Sequence, residues 1–105
     1  MREPFMFEQY RGIRRVGDKL YAMLVTTVHG GPDVPNTRPL FYTQDALKVR
    51  IPFLLGMEST AQRGEEISQC KSALAALTDA INEVETGHKK LESYPGCAGC
   101  GGAMS

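Results

Sequence analysis

The first half of the chain reads as strands, in part from a period-two alternation of apolar and polar positions over Leu47 to Phe53 and elsewhere from residue types that favour extended backbone. Ile13 to Val16 and Lys19 to Val28 are rich in Ile, Val, Thr and Tyr. Gly17-Asp18 between them suits the two-residue turn of a hairpin, which needs backbone that tolerates positive φ. The run from His29 to Asn36 holds Gly30, Gly31, Pro32, Asp33 and Pro35 and predicts a loop, because glycine and proline interrupt regular elements and Asp and Asn favour turns. Beyond it, Leu40 to Thr43 and Leu47 to Phe53 read as a second hairpin. In its latter part Leu47, Val49, Ile51 and Phe53 alternate with Lys48, Arg50 and Pro52, and Pro52 places that strand at an edge or at its own end. Leu20, Met23, Leu24 and Val28 also fit a helical stripe, but the Val25-Thr26-Thr27-Val28 run favours strand.

The second half changes period. Ser59 with Gln62 forms a candidate capping box, and Ile67, Cys70, Leu74, Leu77, Ile81, Val84, His88 and Leu91 follow at alternating spacings of three and four. This is the a/d series of a coiled coil, and it predicts one long helix from Ser59 to Ser93, ended by Tyr94-Pro95-Gly96. Such a helix is on the order of 50 Å long at 1.5 Å per residue, longer than a four-stranded sheet is wide, so its seam predicts a protein partner or a second copy. Ala73, Thr78 and Ala80 beside the seam would let that neighbour approach closely. Gly87 marks either a kink or an earlier helix end near Thr86.

These elements predict an α+β fold over 1–105 as a single domain: a small antiparallel sheet of two hairpins (1–55), one long heptad-patterned helix (56–94) and a Gly/Cys-rich tail (95–105). A chain of 105 residues has room for one core. The balance of 12 Lys+Arg against 12 Asp+Glu gives no electrostatic surplus for nucleic acid or an anionic membrane. The zero is a cancellation, because residues 1–55 carry three more basic than acidic side chains and residues 56–105 the reverse. The acidic set includes Glu83 and Glu85, which could orient one copy against another. No apolar run approaches a membrane span, and Met1 to Phe7 lacks the apolar stretch of a signal peptide. Three cysteines in this setting favour a reducing, cytoplasmic location, or a virion for a viral structural protein.

Cys97 and Cys100, spaced as Cys-x-x-Cys among glycines, resemble one knuckle of a zinc ribbon. The pair is half a tetrahedral site, and His88, Cys70 or His29, or the same pair of another subunit, would have to complete it. A thioredoxin-type redox role lacks its strand-then-helix context. His88 in the seam otherwise acts as a polar residue that fixes register, and Cys70 as a small hydrophobe. Arg11, Arg14, Arg15 and Lys19, with Tyr10 and Tyr21 nearby, are nucleic-acid candidates by composition, against the plainer reading of a solvated hairpin face. His29 with Asp33 is the sole candidate for acid–base chemistry, and no nucleophile motif or phosphate-binding loop accompanies it.

The function expected from this sequence is therefore non-enzymatic. The chain reads as a small structural or protein–protein interaction protein that self-associates or docks on a larger assembly through the Ile67 to Leu91 seam. A viral or phage assembly subunit, or a phage-type inhibitor of a host complex, would suit it. The alternative is a zinc-stabilised regulatory module with Cys97 and Cys100 as knuckle and the basic hairpin on nucleic acid.

Overall fold

The computed structural model describes residues 5–29, 34, 38–96 and 103–104. Strands β1 (Met6–Val16), β2 (Lys19–Val28) and β3 (Leu40–Tyr42) are followed by helices α1 (Gln44–Leu55) and α2 (Ala61–Glu85). A short 3₁₀ turn (Leu91–Ser93) and the two-residue strand β4 (Ala103–Met104) complete the described elements. The sheet order is β1-β2-β3-β4, with the first three strands antiparallel and β4 parallel to β3. The α+β expectation holds, with one hairpin and a third strand in place of two hairpins, and two helices in place of one. No helix among the described residues is long and apolar enough to cross a membrane.

The first hairpin forms where the pattern places it, and Gly17 takes φ 66° in its turn. Its register is interrupted between Tyr10 and Gly12, where Gly12 adopts φ 129°, a value open essentially to glycine. The bulge inverts side-chain parity along β1. Tyr10 opposite Leu24, and beyond the bulge Ile13 opposite Ala22, therefore both reach the core beneath the helices. The other sheet face is also covered, since Phe7, Thr27 and Phe41 are buried at the alternate positions.

Residues 47–53, expected as a strand, lie in α1. Thr43 caps that helix by accepting from the Ala46 N–H at 3.1 Å, and Asp45 complements the positive end of its dipole. Leu47, Ile51 and Leu54 then fall on one helical face and pack inward, a spacing of four and three that outweighs the coincidental alternation. Pro52 is accommodated in the last turn, where the helix is ending.

Helix α2 is capped one residue later than expected, with the Thr60 hydroxyl accepting from the Arg63 N–H at 3.1 Å in place of a Ser59 cap. It ends at Glu85, and Gly87 follows at φ 80° in the left-handed position that closes helices. The chain then doubles back, so that Leu91 and Tyr94 cover the last turns of α2; the Tyr94 O–H donates to the Ala80 carbonyl at 3.4 Å and to Glu83 Oε2 at 3.2 Å. The most buried line of α2 is Glu66, Cys70, Ala73, Leu77 and Ala80. Ile67, Leu74, Ile81 and Val84 flank it half-buried, against the same core. Seven of the eight seam residues thus belong to the chain's own core, and His88 lies exposed past the helix end. The physical reason is width: a helix lying on a sheet needs a broad stripe, and α1 with the returning segment fills the space that the narrow-seam reading assigned to a partner.

Candidate functional site

Two features stand out once the core is accounted for: a polar network enclosed between sheet and helices, and an apolar surface on α1. The network starts on β1, where Glu8 faces the helices. Its Oε2 accepts from the Tyr42 O–H at 2.6 Å and pairs with Arg50 of α1 at 3.4 Å. The Arg50 guanidinium lies 5.7 Å from the Tyr42 ring centroid and reaches Glu66 Oε2 at 4.0 Å. Glu66, on the core side of α2, is further held by Arg63, and its Oε1 accepts from the Gln62 amide at 3.0 Å. Four elements are fastened together by these groups, with each carboxylate satisfied inside the chain.

The electrostatics follow from that enclosure. Burial raises the Tyr42 phenol above its usual range, and the carboxylate of Glu8 that accepts its hydrogen bond raises it further. Burial pushes the Cys70 thiol up, opposed by the neighbouring Arg50. Burial is the strongest single influence on Arg50 and works against its charge, but Glu8, Tyr42 and Cys70 together outweigh it and the guanidinium is held upward. Stability should accordingly be full below the ordinary thiol value of 9.0 and fall as pH rises further, because the unfolded chain releases protons at Cys70 and then Tyr42 that the folded chain retains. Denaturant unfolding at pH 8 and pH 10.5 measures this; equal stability at the two values would contradict it.

The second feature is the outer side of α1. Eight of its twelve residues are apolar, and one helical face is enough to serve the core. Val49 is left 70% exposed, Phe53 63% and Leu55 60%, with Met57 just beyond at 40%. Val49 and Phe53 stand four apart on one side, with exposed Pro52 beside them. Leu55, two residues beyond Phe53, lies on another flank of the helix, and it is clustered large apolar side chains such as Val49 and Phe53 that mark contact surfaces where isolated ones do not.

Two clefts border this helix. One, of about 380 Å³, opens at its N-terminal end between the β1–β2 turn, Thr43 to Asp45 and the last turn of α2, with Leu20, Ile81, Val84 and Leu91 as its apolar lining. The other, of about 500 Å³, lies beyond its C-terminal end among Phe5, Met57 and the start of α2.

The residues singled out by sequence are placed as follows. Cys70 and Leu77 are fully buried, so they are not available as an interface; Ile67, Leu74, Ile81, Val84 and Leu91 are half-buried around them. His88 bonds through Nδ1 with the Thr86 hydroxyl at 2.7 Å. Cys70 stands fifteen positions before Glu85 along α2, about 22 Å of helical rise, so Cys70 and His88 are not brought to one metal. Cys97, Cys100 and Asp33 lie outside the described residues. His29 is exposed and stacks on Phe5 at 4.5 Å.

The basic hairpin residues are not gathered on one face. Lys19 is exposed at the turn; Arg14, opposite Tyr21, donates to the Ile13 carbonyl, whereas Arg15, opposite Leu20, donates to the Gly17 carbonyl. Arg11 is exposed at the bulge. Glu83 is engaged by Tyr94 and by Lys89 at 3.8 Å. The free edge of β1 is also partly closed, because the Tyr10 N–H donates to Gln69 Oε1 at 2.9 Å and the Arg15 N–H to the Pro95 carbonyl at 2.7 Å.

Sequence reasoning missed Glu8, Tyr42, Arg50 and Glu66 as a network, since no local spacing links residues 34 positions apart such as Glu8 and Tyr42. It assigned Val49 and Phe53 to a strand face, although an unusually apolar helix after the Thr43 cap was the available signal. No protein-family model, no curated protein and no solved structure matches the chain.

Proposed function

We propose that this chain is a non-enzymatic protein–protein interaction module, which self-associates or docks on a larger assembly through the outer face of α1. The observation that carries the reading is the exposure of Val49 and Phe53, four residues apart on one side of a helix whose opposite face already fills the core. Leaving such side chains in water forgoes roughly 1.5–3 kcal/mol for each that a partner would bury, and a folded chain with no use for them loses nothing by carrying polar residues there. The buried polar network supports the same reading, because its carboxylates are engaged by Arg50, Arg63 and Tyr42 as a structural tie requires.

The double variant Val49→Lys/Phe53→Glu tests the proposal. Both positions are exposed, so its unfolding free energy should stay within about 1 kcal/mol of the parent, two surface changes at about 0.5 each. Native mass of the purified chain and recovery of partners from its source are then compared for the two proteins. Loss of the second copy or of a stoichiometric partner on substitution is the expected result. Association unchanged by the substitution, or a parent chain that is monomeric and partnerless, would overturn it.

A further inference from the structure

We propose that residues 86–96 are a strap with two states. In the closed state, the one described above, the strap covers the end of α2. In the released state α2 continues through Gly87 to Leu91, and the stripe of Ile81, Val84 and Leu91 is bared. This switch is independent of the contact face on α1.

The closed state is held at few points. Of residues 86–96 only Tyr94 is buried and only Leu91 half-buried. The Tyr94 O–H donates to the Ala80 carbonyl and to Glu83 Oε2, Lys89 Nζ stands 4.9 Å from the Tyr94 ring centroid, and the Arg15 N–H donates to the Pro95 carbonyl. The Lys89–Glu83 pair is too exposed to add much. Leu91 borders the cleft of about 380 Å³ with Leu20, Ile81 and Val84, so part of its surface meets space and not side chains. Segments anchored this sparsely open locally while the rest of the fold stays intact.

The released state is written in the same residues. Gly87 is the only glycine or proline between Glu85 and Tyr94, and His88-Lys89-Lys90-Leu91-Glu92 follows it without Asn or Asp. A helix continued to Leu91 sets that residue seven positions after Val84 and ten after Ile81, on one face. It also places Lys89 four residues after Glu85, the favourable order for such a pair. Lys89 and Lys90 then complement the negative end of the helix dipole, whereas α2 ending at Glu85 has no basic residue in its last turn. A plain returning loop has no need of these features.

Gly87 decides between the two states. Its φ of 80° permits the reversal, and a Cβ there meets nothing within 4 Å, so alanine is opposed by backbone conformation alone. The left-handed conformation disfavours alanine roughly tenfold, and alanine exceeds glycine about fivefold inside a helix, so Gly87→Ala shifts the equilibrium toward release by roughly fiftyfold. From a released population of about 1%, within the usual range for a minor state, that brings about a third of the molecules into the released form.

Amide hydrogen exchange and chemical shifts of the full chain, parent and Gly87→Ala, test this. The Arg15 N–H, bonded to the Pro95 carbonyl, is freed when the strap lifts. Its exchange should be roughly tenfold faster or more in Gly87→Ala, with the amides of Ala73 and Leu77 in the core part of α2 unchanged. The Cα shifts of Lys89 to Leu91 should move toward helical values. Arg15 exchange within about twofold of the parent, or equal acceleration at Ala73 and Leu77, would overturn the strap as a separate unit. A freed Arg15 amide with Lys89 to Leu91 at random-coil shifts would overturn the helical continuation.

Discussion

Replacing Leu77 by alanine should lower the free energy of unfolding by about 2–5 kcal/mol, the usual range for truncating a fully buried leucine. Leu77 has no exposed surface and sits in the core cluster with Leu20, Leu24 and Leu47. Domains of this size are stable by only about 5–15 kcal/mol in total, so the variant would be near the edge of folding at physiological temperature. The result separates two roles for the heptad series on α2. A side chain reserved for a partner would leave the isolated chain's stability nearly unchanged when truncated, whereas a core side chain cannot. Denaturant unfolding of the isolated chain measures the difference, and a loss under about 0.5 kcal/mol would contradict the core assignment.

The second large effect lies in the enclosed network. Arg50→Met keeps most of the side-chain volume but withdraws the guanidinium that bridges Glu8 and Glu66. The expected cost is about 1–3 kcal/mol, at the lower end of what unpaired buried charges incur because Arg50 and Glu8 retain some solvent access. Glu8 keeps its bond from Tyr42, and Glu66 keeps Arg63 and Gln62, which limits the damage. Adding Glu8→Gln to Arg50→Met should then cost less than Glu8→Gln does alone, since the charge it removes has lost its partner. Unfolding of the four proteins of this cycle checks the coupling, and strict additivity would show that the pair is not energetically joined.

The hairpin was legible because its signals are local: β-rich segments flank Gly17-Asp18, and the structure keeps that turn. The helical second half was legible by period, and Gly87 marked its end as one of two readings allowed. The depth of each seam residue was not. Ile67, Leu74 and Ile81 are only half-buried, while Glu66, Ala73 and Ala80 lie at the centre of the contact, because small side chains let a helix approach a sheet and a paired carboxylate can be enclosed there. Heptad spacing records which residues are apolar and not what surface they meet.

Helix α1 was misread for a related reason. Leu47 and Ile51 turn inward with Leu54, and Val49 and Phe53 turn outward, so a helix with apolar residues on two sides imitates the alternation of a strand. The residues responsible for the error are the ones that form the proposed contact surface. An ordinary surface helix would have carried polar side chains at Val49 and Phe53, and its period would have been plain. The polar network was hidden by distance in sequence, and the bulge at Gly12 lets Glu8 and Ile13 share the helix-facing side despite opposite parity.

The central claim is that the chain makes its contacts through the outer face of α1 and keeps the apolar face of α2 for itself. Hydroxyl-radical footprinting of the chain, dilute and in its associated form, tests it most directly. Protection on association centred on Val49, Pro52 and Phe53, with the side chains of α2 equally labelled in both states, is the result this account predicts. Protection on α2 with α1 left fully labelled would contradict it.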